Sequence, residues 1–215
     1  MRFDEAVERL DGLAAAAATG RSLPRGPDDL RVTFVDGRLR PRLDPTSSAR
    51  PAAVLVLVFP DPDGWARTVL TERSSYDGHH SGEVSFPGGK AEPGDDDAAA
   101  TALREAREEV GLDAEEAGVR VVGRLDEVFI PVSDFRITPV VAVAATTPRL
   151  RPSETEVSRV LTPRVSTFLA DAGIEVVERT IGTWPIRYGG YRVDGLHVWG
   201  ATGRILGQLG AILAT

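Results

Sequence analysis

The chain has 215 residues, of which 42% are hydrophobic and 27% are charged, and 32 acidic against 25 basic residues give it a net charge of −7. These values are typical of a globular chain that can bury a sizeable core. An acidic balance argues against a surface that binds a nucleic-acid backbone. The absence of cysteine excludes disulfides, a thiolate nucleophile and cysteine-ligated metals, and it suits a reducing cytoplasm.

The first part of the chain predicts a helix and then an irregular arm. Phe3, Val7 and Leu10 are spaced to form an apolar stripe on a helix over residues 4–19. Acidic residues stand where a secretion signal needs positive charge, so we expect no signal peptide. Pro, Gly and Arg dominate the next thirty residues, which predict little more than a short strand over residues 30–35.

From residue 50 onward, short strands and helices alternate, and hairpins are present. This order favours an α+β fold over a doubly wound parallel sheet. No apolar run reaches the roughly 18 residues of a membrane span, so we expect no membrane partner. We predict strands over residues 52–59, 66–72, 119–125, 137–145, 174–178 and 183–188, and helices over residues 97–110, 163–170 and 196–213.

The predicted helix over residues 97–110 has an anionic face. Glu105, Glu108 and Glu109 are spaced i, i+3 and i+4, so their carboxylates share one side, while Ala106 and Val110 lie with Leu103 and Ala99 on an apolar side. Like charges at this spacing repel, and divalent cations would neutralise them. Oxygen ligands favour Mg²⁺ or Mn²⁺ over zinc. The alternative interpretation is an ordinary solvated acidic face.

The segment that begins at Gly89 and ends with R-E-A-R-E-E-V-G-L at residues 104–112 resembles the Nudix box, G-x5-E-x7-R-E-U-x-E-E-x-G-U, in which U is apolar. Asp95 replaces the first Glu of that pattern, and eight residues rather than seven separate it from Arg104. The resemblance implies a Nudix α/β/α sandwich with a mixed sheet, dependence on Mg²⁺ or Mn²⁺, and hydrolysis of a diphosphate. Either Asp95 or Asp96 would orient Arg104.

In having this extra residue, the sequence resembles the coenzyme A diphosphatase branch of the Nudix superfamily. That branch carries the signature L-T-x-R-S-x-x-L-x-x-H-x-G-x-V-S-F-P-G-G, which residues 70–89 match except at Asp77. Residues 188–196 resemble its late G-Y-R-I-W-G-L stretch, with Asp194 in place of an aromatic. The resemblance spans about residues 50–212 and implies cleavage of coenzyme A or acyl-CoA to 3′,5′-ADP and (acyl-)4′-phosphopantetheine.

Other interpretations remain open at this point. The chain could hydrolyse another nucleoside diphosphate derivative, such as ADP-ribose, a dinucleotide or NADH, or it could be a ligand-sensing module without catalysis. A small-molecule nucleoside diphosphate of the coenzyme A class is the expected partner, and a homodimer is left open. We predict an N-terminal helix and linker arm over residues 1–48 and a Nudix hydrolase domain over residues 49–215.

The resemblance also assigns roles to individual residues. The implied metal ligands are Glu105 and Glu109, with Glu108 and the Gly88 carbonyl as further donors. The attacking water needs a base, for which Glu156, Glu154, Glu83 and Glu108 are candidates, Glu156 being favoured. The catalytic residues predicted are Arg104, Glu108 and Glu156, and the substrate-binding residues predicted are Arg73, Ser74, His80, Gly82, Phe86 and Gly89.

Overall fold

The structure is a computed structural model that describes residues 1–38, 48–74, 83–169, 171–181 and 184–215. Helical segments alternate with short strands throughout. The helices are α1 (Phe3–Leu10), α2 (Gly12–Thr19), α3 (Ala98–Val110) and α4 (Gly200–Leu213), and 3-10 turns lie at Asp28–Leu30 and Val165–Phe168. The strands are β1 (Thr33–Phe34), β2 (Arg50–Pro60), β3 (Ala66–Thr68), β4 (Leu70–Arg73), β5 (Val84–Ser85), β6 (Gly88–Lys90), β7 (Val119–Arg124), β8 (Val128–Ile130), β9 (Phe135–Ala144), β10 (Val157–Leu161), β11 (Glu175–Ile181), β12 (Trp184–Val193) and β13 (Leu196–Val198).

The largest sheet is built around a parallel pair of strands. β2 and β9 run parallel from Arg50↔Phe135 to Val58↔Val143. On the other edge of β2, β6 and β3 pair antiparallel with its two ends, and β7 and β8 pair antiparallel with β9. Two smaller sheets have the orders β10-β4-β5 and β1-β12-β11, with β13 paired to β12. The mixture of parallel and antiparallel pairs explains why hairpin and helix signals alternate in the sequence.

The core lies on both faces of this sheet because successive residues of β2 point to opposite sides. Leu55 and Leu57 pack with Ala102 and Ala106 of α3 on one face. The neighbouring residues Val56 and Val58 belong to a second cluster that contains residues of α1 and α4. Helices therefore cover both faces of a mixed sheet, and the predicted α+β sandwich is confirmed.

The N-terminal helical signal corresponds to two helices rather than one. α1 and α2 are separated at Asp11, and the strand expected over residues 30–35 shortens to β1. Ala6, Leu10 and Leu13 are buried in the same cluster as Leu206 and Leu209 of α4. The arm therefore contributes apolar side chains to the core behind the large sheet.

Several predicted elements differ from the observed ones. The strand expected over residues 66–72 is divided at Val69 because β3 pairs with β2, whereas β4 pairs with β10 in another sheet. The helix expected over residues 163–170 is the short 3-10 turn Val165–Phe168, and Ala170 lies outside the described residues. β8 and β10 were not expected at all, since each is short and depends on a distant partner strand.

The C-terminal helix begins later than predicted. Residues 196–198 form β13, which returns along β12 through a tight turn. Asp194 and Gly195 both have positive φ, 47° and 84°, which is the two-residue Asp-Gly hairpin turn. Within the described ranges, no helix has the length and apolarity needed to cross a membrane.

Candidate functional site

Helix α3 is fixed at both ends by local signals in the sequence. The Asp97 side chain accepts hydrogen bonds from the backbone N–H groups of Ala99 and Ala100 at 2.8 and 2.9 Å. At the other end Gly111 is left-handed, with φ 65°, and its N–H donates to the Arg107 carbonyl. These caps set the helix in one register, so its acidic residues have defined positions over the sheet.

The three glutamates of α3 span a gradient from solvent to core. The Glu108 side chain is 58% exposed and that of Glu105 is 14% exposed, whereas Glu109 is 5% exposed. The buried face of the helix consists of Thr101, Ala102, Ala106, Glu109 and Val110. The predicted apolar face is therefore shifted, since Leu103 is only partly buried and Glu109 turns inward.

Arg104 connects the loop before α3 to the carboxylates on it. Its five N–H groups meet five acceptors: both Asp95 oxygens, the Lys90 carbonyl, Glu105 Oε1 and Glu108 Oε2, all at 3.0 to 3.1 Å. The partner of Arg104 is thus Asp95 and not Asp96. The guanidinium also neutralises the repulsion between Glu105 and Glu108 without a metal ion.

Asp95 is held in a closed network of donors. Besides Arg104, it accepts from the Thr101 hydroxyl and from the Glu92 backbone N–H, both at 2.9 Å. The hydrogen bonds from Arg104 lower the pKa of Asp95 far below the ordinary aspartate value. Sequence reasoning missed Thr101 and the Lys90 carbonyl, although Thr101 stands one helical turn before Arg104 on the same side.

Two glycines bring the chain very close to these carboxylates. A Cβ on Gly89 would stand 2.4 Å from Glu105 Oε1, and one on Gly88 would stand 2.4 Å from the Ala53 carbonyl oxygen of β2. The Gly88 N–H donates to Glu109 Oε2 at 3.2 Å. The contact observed at Gly88 is therefore made by its amide, and donation by its carbonyl to a metal stays a prediction.

Glu109 carries a carboxylate in a largely dry position. Burial raises its pKa to about 7, against the opposing effects of the Gly88 N–H and of the positive charge of Arg73. The negative charges of Glu105 and Glu156 raise it further. Burial also raises the pKa of Glu105. A cation beside these two groups would favour their charged forms.

Arg73, at the end of β4, and Glu156, in the turn before β10, lie beside each other. Arg73 ends β4 and pairs with Val157 of β10, so the loop containing Glu156 lies beside it. The Ser74 N–H donates to the Glu156 carbonyl at 3.0 Å. Glu156 is exposed, and its charge acts on both Glu105 and Glu109. The structure thus brings the predicted clamp, the predicted base and the box carboxylates together.

Not every predicted substrate-binding residue lies at this surface. Phe86 is 2% exposed and packs in the core cluster behind the sheet, so its ring anchors the strand before Gly88 and does not face a substrate. That assignment is corrected, and the reason is the alternation of side chains along residues 84–86. His80 and Gly82 lie outside the described residues.

Comparison with known proteins decides the family. A sequence model of the NUDIX domain matches residues 49–171, which is more than half of the chain and includes every glutamate described above. The chain belongs to the Nudix family. The superfamily resemblance stated from the sequence is thereby confirmed.

Similar Nudix proteins come from plants and bacteria. Nudix hydrolase 15, mitochondrial, of Arabidopsis thaliana is 40% identical over 161 residues, which cover 72% of this chain and 55% of that protein. The uncharacterized Nudix hydrolase NudL of Pectobacterium atrosepticum is 41% identical over 127 residues, covering 59% and 64%. The chain therefore spans between half and two thirds of the length of these relatives. A crystal structure of the Nudix hydrolase RenU from M. smegmatis aligns with 27% identity and a TM-score of 0.46 over 55% of this chain and 73% of that one.

The Nudix box residues have the donor chemistry of a magnesium or manganese site. Glu105, Glu108 and Glu109 supply oxygen ligands only, and the missing side chain of Gly89 leaves the space that the Glu105 carboxylate occupies. In the present side-chain positions, no three Asp, Glu or His residues of the described ranges converge closely enough to hold a metal ion. The residue types fit Mg²⁺ or Mn²⁺. Because Arg104 already bonds Glu105 and Glu108, a bound cation would have to share these two carboxylates with the guanidinium.

Proposed function

We propose that this Nudix chain hydrolyses the diphosphate linkage of coenzyme A or an acyl-CoA, with Mg²⁺ or Mn²⁺, in a reducing cytoplasm. The products are 3′,5′-ADP and 4′-phosphopantetheine or its acylated form. Hydrolysis of nucleoside diphosphate derivatives is supported by the family and by the complete set of box carboxylates. The coenzyme A class is supported by the match of residues 70–89 to that branch's signature.

The position of Arg73 is the observation that carries the proposal. Arg73 belongs to the signature and not to the Nudix box, yet its charge lowers the pKa of the box residue Glu109. Within the described residues its Nε is buried and has no hydrogen-bond partner. A guanidinium beside these carboxylates, with an Nε that has no partner among the described residues, is suited to bind a phosphate oxygen.

The residues would divide the work of hydrolysis as follows. A bound divalent cation supplies charge neutralisation and lowers the pKa of water. Glu105 and Glu109, with Glu108, would hold that cation, while Arg104 and Asp95 keep the glutamates in register. Arg73 and the Ser74 hydroxyl would bind the phosphate oxygens and orient the diphosphate for attack by water.

Glu156 is proposed as the base that accepts the proton of the attacking water. It is exposed, lies in the turn directly before β10, beside Arg73, and acts electrostatically on both metal-binding glutamates. Glu154 is exposed as well, but it is Glu156 whose charge is among the main influences on the pKa of both Glu105 and Glu109. We therefore expect Glu156→Gln to reduce kcat far more than Glu154→Gln.

The test is product analysis with coenzyme A and with ADP-ribose, each with and without Mn²⁺ or Mg²⁺. Metal-dependent release of 3′,5′-ADP and phosphopantetheine supports the proposal. Cleavage of ADP-ribose alone would retain the box chemistry but reject the coenzyme A class, and cleavage of neither would favour a ligand-sensing module.

Arg73→Lys provides a matched variant for the phosphate clamp. Lysine keeps the positive charge but lacks the forked donor geometry of arginine. We expect kcat/KM for coenzyme A to fall at least about tenfold, mostly through KM. Arg159→Lys is the control, because Arg159 lies on the adjacent strand and bonds Glu72 at 3.0 Å, away from Glu109.

A further inference from the structure

A polar cavity lies at the end of the large sheet where β3 pairs with β2. Its volume is about 340 Å³, and side chains from β3, β12 and the 3-10 turn Val165–Phe168 meet there. Three arginines and three hydroxyl residues can contribute donors, and one carboxylate contributes an acceptor. The polar lining consists of Arg67, Arg164, Arg192, Thr162, Ser166, Thr167 and Asp194.

This cavity is well separated from the Nudix box. Gly89 pairs with Ala53 and Arg67 pairs with Phe59, both on the same edge of β2. Six residues of extended strand correspond to about 20 Å. A ligand in the cavity therefore does not share its contacts with the box carboxylates.

Two of the guanidinium groups are held in place while keeping donors for a ligand. Arg67 donates through Nε to Asp61 at 2.9 Å and through Nη1 to the Thr162 carbonyl at 2.6 Å, which leaves part of its fork available. Arg164 lies over the ring of Trp65, 5.1 Å from its centroid. Within the described residues, Arg164 forms no ion pair with a carboxylate.

Two of the three arginines at the cavity are paired with carboxylates. Asp61 is matched by Arg67, and Glu175 is matched by a bidentate pair with Arg192. Arg164 and the exposed Asp194 are the remaining charged groups, so the cavity is neutral in total and offers one guanidinium without a carboxylate partner and one carboxylate acceptor. The cavity thus offers several donors together with a single acceptor.

We propose that this cavity is a binding site for a phosphate group, distinct from the hydrolytic site. A phosphate accepts hydrogen bonds from guanidinium and hydroxyl donors through its oxygens. Hydrogen phosphate also carries a proton that it can donate to Asp194. Sulfate has similar size and charge but no such proton, so Asp194 discriminates against it, and the site selects phosphate.

The test measures binding of inorganic phosphate and of sulfate to the metal-free chain in EDTA by titration of backbone amide NMR shifts. We expect phosphate to shift Ser166, Thr167 and Asp194 and to bind at least about tenfold more tightly than sulfate. Arg164→Gln should weaken phosphate binding about tenfold. Asp194→Asn should abolish the preference, because an amide can donate to sulfate.

The test also includes a control variant and a second ligand. Arg187→Gln removes an exposed arginine from the same strand as Arg192 and should leave phosphate affinity unchanged, since Arg187 does not line the cavity. Titration with adenosine 3′,5′-bisphosphate distinguishes two sources of the phosphate group. If the site takes a phosphate carried by a nucleotide, the bisphosphate binds more tightly than inorganic phosphate. If the site takes free phosphate, inorganic phosphate binds at least as tightly as the bisphosphate. Shifts confined to the box, or equal affinity of the original chain and Arg164→Gln, would overturn the proposal.

Discussion

At Glu109, burial and function act in opposite directions. The carboxylate is 5% exposed, and burial raises its pKa to about 7, so the protein keeps a group that is expensive to ionise where the charged form would be needed to bind metal. A residue that served only stability would be apolar here. This conflict is typical of a functional position.

Glu109→Gln separates these two roles. Glutamine keeps the shape and the acceptor for the Gly88 N–H but cannot be charged, so we expect a folded protein with kcat at least about 10²-fold lower. We also expect Mn²⁺ to raise Tm in the original chain and not in the variant. Full activity of the variant would show that the metal ligands are assigned incorrectly.

The two adjacent glycines predict different outcomes on substitution. In Gly89→Ala the new Cβ meets the mobile end of Glu105, so we expect kcat/KM to fall about tenfold or more while Tm changes little. In Gly88→Ala the Cβ meets the backbone of Ala53 and Val54, which cannot move away, and we expect a loss of about 1–3 kcal/mol in unfolding free energy. Denaturant titration and steady-state kinetics on both variants test this. Equal stability of the two would contradict the close approach.

At the scale of elements, the link between the β6–α3 loop and helix α3 depends on pH. The hydrogen bonds from Arg104 lower the pKa of Asp95 in the folded protein. The stability that this pair contributes to the folded state is therefore fully present when the pH is above the ordinary aspartate pKa of about 3.9, and it is lost as the pH falls below that pKa. We therefore expect Asp95→Asn to lower Tm by a constant amount near neutral pH, and the difference should shrink below about pH 4.

Asp96→Asn is the control for that prediction. Asp96 is the exposed neighbour, and Arg104 bonds Asp95 instead. Thermal melts of both variants across the same pH series distinguish the two residues. A pH-dependent loss in Asp96→Asn equal to that in Asp95→Asn would mean that the pairing is different in solution.

The elements differ in how much of them could be predicted from sequence. α3 was predicted within one residue because its cap, its periodicity and Gly111 are all local signals. The division of residues 66–72 into β3 and β4 could not be predicted, because it follows from partner strands in two different sheets. The turn at Asp194 and Gly195 was predictable from the Asp-Gly pair, and the helical interpretation of residues 196–198 overlooked it.

The candidate site also combines local features, which the sequence predicts, with long-range features, which it does not. The shared helix face of Glu105 and Glu109 was open to prediction because helical spacing fixes their relation, but their different burial depends on how α3 rests on the sheet. The proximity of Arg73 to Glu109 depends on β4 and β10 pairing across the molecule. No periodicity in one segment contains that information.

At the scale of the whole molecule, the N-terminal helices belong to the core on the face of the large sheet opposite α3. Leu10 is fully buried with residues of α4. We expect Leu10→Ala to lower the free energy of unfolding by about 2–5 kcal/mol and to leave kcat unchanged below the melting range. Val132→Ala is the control, since Val132 is 90% exposed. A large change in kcat would instead indicate that α1 shapes the site.

The parallel pair of β2 and β9 also has a consequence for how the chain folds. Its partner residues are about 85 positions apart. Pairing the two strands therefore costs the conformational entropy of closing a long loop before their contacts stabilise the chain. During synthesis the apolar β2 strand leaves the ribosome well before β9 exists. We expect slow folding with an early state in which β2 can pair with β3 and β6 but still lacks β9 on its other edge, and this open apolar edge is an aggregation risk in the nascent chain.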